Sequence, residues 1–141
     1  MLFRSVCDRD AIIAVHGVQK RELLDKRCSQ ELEQLMELRR SYRYQDGDLP
    51  VRPTDASDRY RVGAAAPIVT EGDLMGCVLL LSEDGAPALG EAEQRLVQTV
   101  AGFLGRQMES LKIRQGSGSL PDFYAAEKIV AKRRKICYTM I

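Results

Sequence analysis

The 141 residues are 45% hydrophobic and 29% charged with a formal net charge of +1, the balance of a soluble globule and enough chain for one domain with a sizeable core. No apolar run approaches the ~18 to 20 residues that cross a bilayer, and the start MLFRSVCDRD turns charged too early for a secretory signal, so a cytoplasmic chain without a membrane partner is expected. The charge is uneven: residues 1–111 hold 14 Lys/Arg against 18 Asp/Glu, a net of −4, and residues 112–141 hold 7 against 2, a net of +5, which makes the body a poor surface for nucleic acid.

In chain order, FRSVCDRDAIIAVHG reads as a short strand, a turn at Asp8-Arg9-Asp10 and a second strand from Ala11 to Val15 that stops at His16-Gly17. The next segment, to Ser41, has helical character, with Ser29 placed as an N-cap, Glu31 in the first turn and a stripe of Leu32, Leu35, Met36 and Leu38 facing the core. From Tyr42 to Arg61 the apolar pattern stops and prolines, aspartates and a glycine take over, a long loop that is a candidate lid or a plain surface loop.

Strands resume at YRVGAAAPIV and MGCVLLLSE, joined through Thr70-Glu71-Gly72-Asp73, where Gly72 supplies the positive φ of a tight hairpin. Gly76 has no turn to make. An isolated strand glycine marks a bulge or a close approach, here by the terminal helix or by a ligand.

Glu91 to Lys112 predicts the longest helix, roughly 30 Å long. At about 100° per residue its apolar side chains fill an arc of about 160°, wider than one contact layer needs, so the helix is expected to have two apolar partners. Val97, Ala101, Leu104, Met108 and Leu111 step by four and three, a heptad-like seam expected to form a dimer interface. Gly102 and Gly105 interrupt this helix. The element order gives an α+β domain with a central antiparallel sheet flanked by helices and no parallel crossover. Residues 112–120 read as a flexible linker, and residues 121–141 as a basic tail that forms one short helix or stays solvated.

Four widely spaced cysteines, Cys7, Cys28, Cys77 and Cys137, contain no C-x-x-C, so neither a zinc site nor a disulfide framework is indicated, and no cofactor is expected. The single histidine, His16, lies beside a glycine with no nucleophile motif. The chain does not read as an enzyme.

DRDAIIAVHG, PIVTEGDLMGCVLLLSE and EAEQRLVQTVAGFLGRQME, in that order and spacing, resemble the carboxy-terminal GAF-type domain of the stage V sporulation protein T family, AbrB-type transcription regulators of spore-forming bacteria. The resemblance covers about residues 5–110 and implies a GAF-type sensor fold whose terminal helices bundle between subunits, so that residues 1–111 form a sensor and dimerisation domain. It further implies a regulator that acts as an oligomer on sporulation genes and senses a small-molecule effector. The family's amino-terminal DNA-binding domain, and the helix that opens its GAF fold, have no counterpart before Met1-Leu2-Phe3, so direct DNA binding is not carried over. His16 stands where the family pattern has a small residue, and the tail is a candidate to pack where the opening helix would lie.

The expected function is therefore a ligand-sensing, homo-oligomerising regulatory domain. The alternatives are a dimerisation module with a filled pocket, or a cysteine-based redox enzyme, since free-methionine sulfoxide reductases share the GAF-type fold. A ligand is expected between the sheet and the 42–61 loop, with Arg43 for an anionic group, Tyr42 and Tyr60 for stacking, and Ala64, Ala66 and Gly76 leaving space.

Overall fold

Turn chemistry closes the first hairpin. β1 (Leu2–Asp8) and β2 (Ile12–His16) pair antiparallel, and the Asp8 carboxylate accepts from the amides of Asp10 at 2.8 Å and Ala11 at 2.7 Å. The computed structural model describes residues 2–17, 20–83, 89–113 and 133–139, with side chains in the long helix described through Glu109.

The helical segment that follows is divided. α1 (Lys20–Leu23) ends at a break where Asp25 takes the left-handed conformation, φ 62°, and backbone bonds between Ile12 and both Asp25 and Lys26 tie that break to β2. α2 (Gln30–Glu37) then starts at Ser29, whose hydroxyl accepts from the Leu32 amide at 3.1 Å, with Glu31 and Glu33 in the first turn. Leu32 and Met36 are buried, but Leu38, the C-cap residue, is 65% exposed, because two residues past Met36 it projects from the opposite side of the helix.

The 42–61 segment is anchored along its length. It opens with the two-residue strand β3 (Tyr42–Arg43), and its backbone bonds join Tyr44 to Gly63, Val51 to Val62 and Pro53 to Ser29. Thr54 is buried, and Arg52 pairs with Asp55 and Asp58. β4 (Tyr60–Thr70) and β5 (Asp73–Glu83) form the long hairpin. Glu71 and Gly72, with φ of 51° and 84°, make its two-residue turn, whose paired positive φ values match the twist of the strands.

The sheet order is β2-β1-β5-β4-β3, with every pair antiparallel. β1 therefore lies against β5, with Asp8 opposite Gly76. A Cβ at Gly76 would fall on the Cys7 carbonyl oxygen and come within 2.9 Å of the Asp8 Cα. What approaches this glycine is the main chain of β1, rather than the terminal helix or a ligand.

Each face of the sheet is covered. On one, Phe3, Cys7, Leu79, Leu81, Tyr60 and Val62 pack with Leu23, Leu32 and Met36 from the two short helices. On the other, Val6, Ala64, Ala66, Ile68, Val78 and Leu80 pack under α3 (Glu91–Ile113) through Val97, Ala101, Leu104 and Met108. Gly105 lets α3 sit close to β4: the Thr70 hydroxyl donates to the Gly105 carbonyl at 2.9 Å, and an added Cβ would lie 2.6 Å from the Val69 carbonyl oxygen. Residues 133–139 are helical and join the same layer, with Cys137 buried and Ile136 and Tyr138 half-buried against it.

Candidate functional site

The turn that Asp8 stabilises, the end of α2 and the start of β5 meet at one end of the sheet and enclose a cleft of about 800 Å³. Asp8, Arg9 and Asp10 come from the β1–β2 turn, Glu37 and Arg39 from the end of α2, and Asp73, Leu74 and Met75 from β5; Arg133 closes the rim. Arg39 follows the helix in a left-handed conformation, φ 53°, and donates to the Gly72 carbonyl, which joins α2 to the β4–β5 turn. The lining thus carries three guanidinium groups and four carboxylates around two apolar side chains. The Arg133 Nε is buried without a hydrogen-bond partner among the described residues. A second groove of about 360 Å³ adjoins it, adding Arg27, Glu33 and Met36.

A separate polar network closes the far end of the sheet. Arg59 pairs with Glu22 at 2.6 Å and with Glu83, and the buried Tyr60 hydroxyl donates to Glu22 at 2.7 Å. The hydrogen bond from Tyr60 holds the Glu22 carboxyl below its usual range, with Arg59 adding to the effect. Burial, followed by that same bond, pushes the Tyr60 phenol up to about 12.

The six residues expected to bind a ligand are not brought together. Tyr42 and Arg43 sit on β3 at the sheet edge, opposite Ala65 and Ala64. Tyr42 packs against the layer of α1 and α2, and its hydroxyl is buried with no hydrogen-bond partner among the described residues. Tyr60 is in that layer too, edge-on to Phe3 with ring centroids 5.9 Å apart. Ala64 and Ala66 face the other way, under α3, and Gly76 is filled by β1. None of the six lines the charged cleft. Its residues left a trace in the sequence only as the charged turn Asp8-Arg9-Asp10; the rest depend on which strand lies beside which.

The seam Val97, Ala101, Leu104 and Met108 is buried against the chain's own sheet, so it is not a free interface, and the Leu111 side chain lies outside the described residues. Outside the seam, Leu96 is 51% exposed and Phe103 40%, while Val100 between them is half-buried at the edge of the layer under α3. The four thiols are all buried, and burial or mutual contact raises Cys7, Cys28 and Cys137 above the ordinary thiol range, which disfavours the thiolate that cysteine redox chemistry requires.

The strand and helix segments that build this fold match a known family model, the carboxy-terminal domain of stage V sporulation protein T, described as a transcription factor, over residues 3–109. The chain belongs to that family. Stage V sporulation protein T of Bacillus subtilis (strain 168) is 38% identical over 104 residues, 74% of this chain and 57% of that protein, so the chain spans a little over half of that relative's length. Within the family match lie the cleft walls from β1, α2 and β5 and the outward face of α3; Arg133 lies beyond it. Among the described residues no helix is long and apolar enough to cross a membrane.

Proposed function

We propose that this chain is the regulatory domain of a sporulation transcription regulator, a GAF-type module that pairs with a second copy and responds to a small charged effector. Its family and the name of its Bacillus relative support the regulatory role. The observation that carries the sensing role is the cleft: at about 800 Å³ it is within the ~300 to 1,000 Å³ of small-molecule sites, while both faces of the sheet beside it are filled by side chains. A lining of both charge signs favours a compact effector that itself carries both, held by Arg9 and Arg39 at its anionic end and by Asp10 or Glu37 at its cationic end.

Pairing is assigned to the outward stripe Leu96, Val100 and Phe103, spaced four and three on α3, rather than to the seam already used within the chain. The body, at −4 over residues 1–111, does not contact DNA itself. A thermal-shift screen of the whole chain against charged cytoplasmic metabolites, with mass by light scattering at the same concentration, tests both parts. A compound that raises the melting temperature with its concentration, and loses that effect in Arg39→Ala, supports sensing by the linkage of binding to stability. A clean dimer without any hit leaves the dimerisation module as the function.

A further inference from the structure

On the sheet face opposite α3, Cys7, Cys28 and Met36 share one core layer, with Cys77 beside them. Cys7 on β1 lies with its Sγ 3.8 Å from the Met36 Sδ on α2. Cys28, just before α2, interacts side chain to side chain with Cys7, and its Sγ lies 4.0 Å from the Asp8 carbonyl. Cys77 is the cross-strand neighbour of Cys7, but its own thiol is directed to the Val78 carbonyl at 3.6 Å. Among the described residues no three His, Cys, Asp or Glu side chains group as a metal site. Cys7 is in contact with both the Met36 thioether and the Cys28 thiol, and two thiols with a thioether are the donor set soft monovalent cations select.

We propose that Cys7, Cys28 and Met36 form a binding site for a soft, thiophilic cation of the Cu(I) class. The site is buried yet has two approaches: Cys28 lines a groove of about 440 Å³, and Met36 lines the groove of about 360 Å³. Arg27 and Glu33 both border the two grooves, and the carboxylates of Glu33 and Asp8 oppose thiolate formation at Cys28, so the cation itself must offset the charge that builds up when the thiols bind. Loading is a substitution without redox change: the cation takes a sulfur lone pair from each of Cys7 and Cys28, both thiol protons leave to solvent, and the bis-thiolate complex carries one negative charge. Met36 adds a neutral third donor. Because the protons compete with the cation, retention rises with pH. The bound ion ties β1 to α2, two elements that otherwise meet only through side-chain packing in that cluster.

The test is anaerobic titration of the whole chain with Cu(I) against a chromogenic Cu(I) chelator, with metal-to-protein ratio after desalting and melting temperature as readouts. The expected result is one Cu(I) retained per chain, a melting temperature that rises with Cu(I), loss of retention in Cys7→Ser and Cys28→Ser, and none of these changes in Cys137→Ala, whose thiol is on the opposite face. Met36→Leu keeps the side-chain volume and the fold; it weakens retention without abolishing it, and it decides the case where a cysteine variant fails to fold. Retention by Cys7→Ser or Cys28→Ser equal to the parent, affinity unchanged in Met36→Leu, or no Cu(I) held by the folded chain overturns the site.

Discussion

Two glycines three residues apart in α3 should respond in opposite directions to the same added methyl group. Gly102 has nothing within 4 Å of an added Cβ, so Gly102→Ala gains only the helix propensity difference, about 1 kcal/mol. Gly105→Ala gains the same propensity, but its Cβ would lie 2.6 Å from the Val69 carbonyl oxygen, a backbone atom that cannot rotate away. The helix must lift from β4, at an overpacking cost of about 1 to 3 kcal/mol. It also strains the buried bond from Thr70 to the Gly105 carbonyl, worth about 1 kcal/mol. Set against the propensity gain, Gly105→Ala should be destabilised by about 1 to 3 kcal/mol, and the two variants should differ by about 2 to 4 kcal/mol. At about 4 °C per kcal/mol for a domain of this size, that is a gap of roughly 10 °C in melting temperature. Urea and thermal unfolding of both variants, followed by far-ultraviolet circular dichroism, measure it. If Gly105→Ala proves as stable as Gly102→Ala, the close seating of α3 on β4 is wrong.

The remaining predictions concern the sheet, the polar network and the outer helix face. Gly76→Ala should be the most damaging glycine change among the described residues, above about 3 kcal/mol, because it separates β1 from β5 and so opens both core layers; a melting temperature within a few degrees of the parent refutes the register of Asp8 opposite Gly76. Tyr60 has a phenol raised from 10.0 to about 12, so its contribution is complete below pH 10 and is lost as pH climbs through 12. Glu22 is lowered from 4.5, so its contribution holds above that pH and fades as pH falls through its folded value. Tyr60→Phe should therefore flatten the alkaline decline of the urea midpoint and soften the acid one, and midpoint curves parallel to the parent at both extremes count against the pairing. Phe103→Asp, on the outward stripe of α3, should leave the unfolding midpoint of the monomer unchanged and reduce the mass in light scattering; an unchanged mass removes that face as the contact.

Much of the local architecture could be read without coordinates. The Asp8 turn, the Ser29 cap, the Glu71-Gly72 hairpin and the extent of α3 depend on residues within four positions of one another, and each stands where its local chemistry indicated. The single helical region before residue 41 failed because Asp25 accepts a left-handed conformation to form backbone bonds with Ile12, a tertiary demand that propensity does not express. The six residues expected at a ligand are dispersed for a similar reason. Their residue types suited a pocket, but a bulge at Gly63 breaks the alternation of β4 and turns Ala64 and Ala66 to the face opposite Tyr60, and the segment expected to form a lid is fastened to α2 and β4.

The sequence by itself determined the antiparallel α+β class, the family, and the breadth of the apolar arc on α3. Only the tertiary structure decided which half of that arc meets the sheet, what fills the space at Gly76, and which charged and sulfur side chains gather at the cleft and beneath α2. Turns and caps are fixed by bonds between near neighbours. Cys7 and Cys77, 70 residues apart, meet only after β1 has been placed beside β5, and that choice rests on burying both faces of the sheet at once.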